Sequence, residues 1–450
     1  MIGASLSRWT LSYFAAALLA FIGAQALMAA GFGFPNAPIA SPETLVLVHV
    51  VALGWLSLLM CGALFQFVPV LVARPLYSNT LPLPALACLL SGIGALLCGF
   101  LQLDGRIAAD LPLLPAAAAL LGVGFTLVVW NLGRTLWSAR PLTLPARYVA
   151  VGLLSLVATV ALGIIFALVL GGVSAPAFAE LTARGLPIHV IAGLGGWLTF
   201  TAMGVSYRLL AMFMLAPELD GLSTRITLYA GATGLVLAIV GGIAAISLYG
   251  NADLALAAAG AVGLLALGLY GSDVLHLYRA RKRRKIELNS RMAAFALTSL
   301  AVAVVLTIIC IALGALSRHI GAIAFLLAFG WLSGLGLAKL YKIVPFLTWL
   351  ECYGPILGKR PTPRVQDLVV EQRALKWFLL YFVVVWLGTL MLLLGYELAF
   401  RAAAALMLVA TGGIVFQLVR SRRLADVKAD MRLPDGAHYP KLLLSLTPHR

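Results

Sequence analysis

His49 to Pro69 reads HVVALGWLSLLMCGALFQFVP, His189 to Ala211 reads HVIAGLGGWLTFTAMGVSYRLLA, and Phe325 to Pro345 reads FLLAFGWLSGLGLAKLYKIVP. Superposing the Gly-Trp pairs Gly54–Trp55, Gly196–Trp197 and Gly330–Trp331 aligns the rest of the phrase. Eight residues after the first glycine come Gly62, Gly204 and Ala338, and three further on come Phe65, Tyr207 and Tyr341. Gln66, Arg208 and Lys342 follow, and three residues later stand Pro69, Ala211 and Pro345. The three glycines are 142 and 134 residues apart, too long a period for a solenoid. Repeats of this length are one way in which polytopic membrane proteins are built.

The chain around the phrase is apolar enough to be a membrane protein. It has 450 residues, 62% of them hydrophobic and 11% charged, with a mean hydropathy of +1.03. A helix crosses the hydrocarbon core with about 20 apolar residues. Such segments lie near 10–32, 44–66, 81–101, 111–133, 148–172, 188–210, 226–248, 253–275, 291–313, 320–342, 375–396 and 401–420. Twelve spans over three copies of the phrase give four helices per copy, with the phrase on spans 2, 6 and 10. The expected fold is an all-α polytopic membrane protein of twelve transmembrane helices in three pseudo-symmetric four-helix arcs. The arcs cover 1–147, 148–286 and 287–425 of a single membrane domain, and a cytoplasmic tail of 426–450 follows.

Charge assigns an orientation. Arg279 to Lys285 reads RARKRRK between spans 8 and 9; Arg134, Arg140 and Arg147 lie between spans 4 and 5; Arg420, Arg422 and Arg423 follow span 12. The loops 33–43 and 249–252 carry no Lys or Arg. Basic loops stay in the cytoplasm, so the expectation is a multi-pass protein of a bacterial-type cytoplasmic (inner) membrane with both termini cytoplasmic. The net charge of +16 is then mostly topology. The lipid bilayer, not nucleic acid, is the expected partner of the basic run, because anionic headgroups attract such segments. The N-terminus reads as a span and not as a cleavable signal. Cys61, Cys88, Cys98, Cys310 and Cys352 show no CxxC spacing and read as packing residues. Walker, GxSxG and HExxH motifs are absent from the sequence.

Ionisable groups are sparse within the spans. The sixteen acidic residues fall in loops or towards helix ends, which weakens the case for a carboxylate-driven pump. Arg208, Lys339 and Lys342, at the cytoplasmic ends of spans 6 and 10, are expected to snorkel to the interface, with an inner anion site as the alternative. His438 and His449 lie in the tail, and His276 reads as interfacial. His49, His189 and His319 all fall towards the outer ends of even-numbered spans, one per repeat. A lone membrane histidine is usually a hydrogen-bonded packing residue. Two at similar depth in repeat-related helices favour a cofactor, because imidazole ligates iron, copper or zinc without carrying charge. A haem needs one or two axial ligands, whereas a zinc or copper site needs three or four. His319 stands eleven residues before Gly330, four to six further out than its counterparts, or roughly 6–9 Å at 1.5 Å per residue. A three-histidine site is therefore not expected, and copper is not expected.

Three arcs whose central helices carry G-W-x6-[GA]-x2-[YF]-x3-[PA] resemble subunit I of the haem-copper oxidase superfamily, most closely its cbb3-type branch and stand-alone oxidase-like members. The resemblance covers the chain in topology and the three central helices in motif. In the family the tenth helix reads H-x-H-x4-G-W. The histidine five before the glycine ligates the low-spin haem, and the one seven before ligates the high-spin haem. In this sequence those positions hold Phe325 and Ile323, and the region matching the copper histidines of span 7 reads ISLYGNAD. The middle of span 6 has no histidine–tyrosine pair. The resemblance therefore implies the scaffold without the oxygen-reducing centre, and no oxygen-reductase activity is expected.

His49 occupies the position five before the glycine of span 2, and His189 the position seven before it in span 6. At about 100° per residue these offsets face opposite ways. Carried through the pseudo-threefold of the family, both imidazoles turn towards one pore. The expectation is one haem b held between His49 and His189, with Arg184 and Arg401 as candidate propionate partners. The functional reading is a non-catalytic b-type haem protein for electron transfer or for nitric oxide, oxygen or haem handling, with a redox partner or a small gas ligand. The alternative is a transporter of a metal, haem or another small solute.

Overall fold

The computed structural model describes residues 7–108, 111–173, 176–433 and 439–445. It is an all-α polytopic membrane protein. Twelve helices among the described residues are long and apolar enough to cross a membrane: α1 Thr10–Ala30, α2 Pro42–Val72, α3 Pro82–Leu103, α4 Leu113–Trp137, α5 Leu144–Leu170, α6 Leu186–Met214, α7 Leu222–Tyr249, α8 Asp253–Arg279, α9 Leu288–Ala312, α10 Leu316–Ile356, α11 Glu371–Leu394 and α12 Glu397–Arg422. A short helix, Pro176–Arg184, precedes α6. Chain punctuation explains several ends. Proline opens α2, α3, α5 and α6 at one of their first two positions, where its missing N–H would be unpaired in any case. Ser41 caps α2 by accepting from Thr44 N at 3.3 Å. Gly31 ends α1 at φ +82°, a left-handed cap that disfavours side chains.

The helices fall into two compact bodies. One comprises residues 1–66 and 287–450; the other comprises 67–286. The division in space thus meets the repeat boundary at 286 but places α1 and the first part of α2 with α9–α12. In the first body α1 packs on α2 and on α12, α9 on α10, and α11 on α12. In the second body α3 packs on α4, α4 on α5, α5 on α6, and α7 on α8.

The core of the first body is a column of aromatic rings. Phe21 of α1 stacks on Trp55 of α2 at 4.4 Å and on Phe329 of α10 at 5.8 Å; Phe329 in turn stacks on Phe325 at 4.8 Å. Phe325 meets Phe400 of α12 edge-on at 5.2 Å. Offset and edge-to-face rings add about 0.5–1.5 kcal/mol per pair beyond burial.

At the basic end α10 runs on through Pro345 to Tyr353 and ends in a 3₁₀ turn, Gly354–Ile356. The described tail residues are tied to the spanning helices. Arg422 pairs with Glu351 at 2.6 Å, both side chains only 3% exposed. It also donates to the carbonyls of Lys441 at 2.8 Å and Leu444 at 3.1 Å. Ser12 Oγ donates to Leu443 O at 2.7 Å. Tyr353, Leu368, Leu424, Val427 and Leu433 form an apolar cluster beneath. His438 and His449 lie outside the described residues.

Candidate functional site

The repeated phrase has a structural counterpart that its sequence does not advertise. In each copy the helix widens for one stretch into a π-helix: Val50–Ser57 in α2, Ile191–Phe200 in α6 and Leu326–Ser333 in α10. Counted from the glycine of the Gly-Trp pair, the widened turn spans the same eight positions in α2 and α10, and one more at each end in α6. A π-turn replaces i→i+4 hydrogen bonding by i→i+5 and is rare outside functional sites. The widening recurs in all three copies of the phrase, and a shorter π-turn, Leu237–Gly241, occurs in α7 outside it.

Contacts of the glycines keep the same register. A methyl group at Gly54 would come within 2.9 Å of Ala20 Cβ on α1, and one at Gly330 within 2.8 Å of Ser299 Cβ on α9; at Gly196 it would run into Ser155 on α5. At Gly62 it would come within 2.6 Å of Tyr13 Cβ, and at Gly204 it would run into Tyr148. Each central helix thus lies against the first helix of its own repeat at the glycine of the Gly-Trp pair, and α2 and α6 do so again eight residues on, the close approach that membrane helix pairs use. The three tryptophans are buried, none more than 2% exposed. Trp55 Nε1 donates to Ser333 Oγ at 2.8 Å, and Ser333 Oγ donates to Ala328 O at 2.6 Å.

His49 stands immediately before the π-turn of α2 and is half-buried. Its Nδ1 lies 2.7 Å from Leu45 O. A carbonyl oxygen only accepts, so Nδ1 carries the hydrogen, and the lone pair of the neutral ring sits on Nε2. This tautomer is the one an axial ligand requires, with the second nitrogen oriented by a carbonyl. His189 stands two residues before the π-turn of α6, in the second body. Its ring lies against Phe166 at 5.5 Å. A methyl group on Gly163 would come within 3.3 Å of its Cε1, so the ring position depends on a glycine in α5. At the position in α10 that matches His49 stands Phe325, 8% exposed and within the aromatic column.

The two arginines are already engaged. Arg184 pairs with Glu180 at 3.2 Å and donates to Gly250 O, joining the short helix to the α7–α8 turn. Arg401 Nε donates to Ala29 O at 3.2 Å, and its guanidinium lies 3.0 Å from the place a Cβ on Gly31 would take. It therefore closes the carbonyl end of α1, where a cation is favoured. His49 and Arg401 belong to the first body, His189 and Arg184 to the second. His319 lies three residues into α10, beside Arg318 and Glu397 in a separate cleft.

Lys342 meets Glu287 at 2.7 Å with both partners half-buried, and Arg208 meets Glu218. Lys339 is 7% exposed, covered by protein and not displayed on the surface. One polar cluster was not anticipated. In the second body Asp273 of α8, 6% exposed, accepts a hydrogen bond of 2.8 Å from Tyr207 OH of α6. Tyr207 packs edge-on against Tyr270 at 5.4 Å and against Tyr148 at 5.5 Å. The signals available were Tyr207 itself, a residue of the repeat, and an aspartate six positions short of the end of α8. The five cysteines are free thiols. Among the described residues no group of three His, Cys, Asp or Glu side chains comes together as metal ligands. No protein-family model matches the chain, and no curated protein does.

Proposed function

We propose that this is a non-catalytic haem-binding membrane protein, with His49 Nε2 as an axial ligand and His189 as the candidate for the second axial position. The observation that carries the reading is the Nδ1 contact of His49 with Leu45 O, which sets the ligating tautomer in a membrane helix directly before a π-turn. His189 adds an imidazole whose placement depends on Gly163. A bound haem would supply reversible one-electron chemistry or a site for a small gas, consistent with electron transfer or nitric oxide, oxygen or haem handling. What the chain's own groups do is orient the imidazole, through the Leu45 carbonyl on Nδ1. Arg184 and Arg401 would be free to meet propionates only by exchanging the partners described above. The excess of Lys and Arg in alternate loops supports a reading in which the basic ends are cytoplasmic, in a bacterial-type inner membrane.

An optical titration of the detergent-purified protein with haem b tests the reading. The reduced complex should show the sharp bands of a six-coordinate low-spin haem. His49→Ala should abolish or strongly weaken that spectrum, His189→Ala should convert it to a five-coordinate form, and His319→Ala should leave it unchanged. An unaltered spectrum in His49→Ala would sink the proposal, as would a wild-type protein that takes up no haem.

The carrier reading draws on Asp273, a buried carboxylate within a membrane helix, since such residues mark solute or proton pathways. Uptake of iron or haem by proteoliposomes, lost in Asp273→Asn, would favour it.

A further inference from the structure

In the first body, at the end opposite the basic loops, a cleft of about 200 Å³ opens between the starts of α10 and α12. Arg318 and His319, in the first turn of α10, form one side; Glu397, the first residue of α12, forms another. The carboxylate of Glu397 is held by Asn36 Nδ2 at 3.2 Å. Phe34 and Tyr396 give the cleft aromatic walls, and Leu392 an apolar one. Phe34 is fixed, because its ring fills the space above Gly321 so closely that a Cβ there would overlap it.

Both charge signs face this cleft without meeting. Among the described residues neither Arg318 nor Glu397 forms an ion pair with the other. A ligand that carries a cation and an anion on a short link would satisfy both. An ammonium is suited to Glu397 and to the faces of Phe34 and Tyr396; a phosphate is suited to the planar donors of Arg318, with His319 beside it. The cleft lies where spanning helices begin and end, at headgroup level.

We propose that this cleft binds the phosphoethanolamine group, presented by a phosphatidylethanolamine headgroup. The inference is independent of haem.

The test reads thermal unfolding of the full-length protein in nanodiscs of phosphatidylglycerol alone and of phosphatidylglycerol with phosphatidylethanolamine. Soluble phosphoethanolamine added in detergent forms a second arm. Preferential binding to the folded state should raise the midpoint by a few degrees in the mixed nanodiscs. Glu397→Gln and Arg318→Gln should each remove the rise while leaving the midpoint in phosphatidylglycerol unchanged, which shows that the variants fold. Stabilisation by soluble phosphoethanolamine as well, lost in the same variants, supports the site and extends it to the free headgroup. A wild-type protein indifferent to both additives overturns the proposal. So does a preference that survives in the Arg318→Gln, Glu397→Gln double variant, since it would then come from the bilayer and not from the cleft.

Discussion

Helices α2 and α10 carry the same phrase, widen at the same relative positions and have those widened turns in the same body, yet they differ at the position five before the Gly-Trp pair. In α2 that position is His49, with Nδ1 committed to a carbonyl. In α10 it is Phe325, stacked on Phe329 and edge-on to Phe400. The shared features are backbone features: a π-turn and a close approach to the neighbouring helix. The divergent ones are side-chain chemistry. The repeat therefore preserves a shape while the occupants of that shape vary, and one arm of it presents an imidazole where another is packed dry. In the second body α6 extends the point, because its copy of the phrase adds Tyr207 on a buried aspartate.

The comparison can be broken most forcefully at the tryptophans. Trp55→Ala and Trp331→Ala should each destabilise the protein by about 3–5 kcal/mol, the range for emptying a buried aromatic site, measured by chemical denaturation in detergent. Equal losses would mean that the two helices are packed alike at this level.

The conservative Trp→Phe changes should then separate them. Trp55 Nε1 donates to Ser333, whereas Trp331 Nε1 is buried without a hydrogen-bond partner among the described residues. Trp55→Phe gives up a net hydrogen bond, and Trp331→Phe removes an unsatisfied donor whose burial costs about 1–3 kcal/mol. Trp55→Phe should be the more destabilising by about 1–2 kcal/mol. The reverse order would show that the indole of α10 is satisfied in the folded protein.

The small residue eight positions on from the glycine gives the next contrast. Gly62→Ala forces a Cβ towards Tyr13 and should cost about 1–3 kcal/mol, as overpacking does. At the matching place α10 already holds Ala338, so Ala338→Gly should cost about 1 kcal/mol, the helix-propensity difference with its added void. Gly62→Ala without effect would mean that α1 and α2 can move apart.

The last contrast is at Ser333. Ser333→Ala removes the acceptor of Trp55 and should cost about 1–2 kcal/mol; haem uptake, read optically, should be unchanged. A change in the spectrum would tie the α2–α10 contact to the environment of His49.

The sequence was enough for the twelve spans, because crossing a bilayer is a local demand on length and apolarity. All twelve expected segments fall on spanning helices. The repeat and its two small residues were legible too, since a helix pair that approaches closely must leave out side chains at fixed spacing. Only the tertiary structure decided the rest. A π-turn has no sequence signature, being selected by what the widened turn packs against. The bond from Trp55 to Ser333 joins residues 278 positions apart, and the hydrogen bonds of Arg422 to the carbonyls of Lys441 and Leu444 hold the tail against the end of α12. Asp273 reads as a helix-end charge until α6 brings Tyr207 to it. The grouping of α1 and the first part of α2 with α9–α12 likewise cannot be read from residue order. A linear pattern records what each residue requires of its solvent and its own helix, but which helices meet is set by packing over the whole chain.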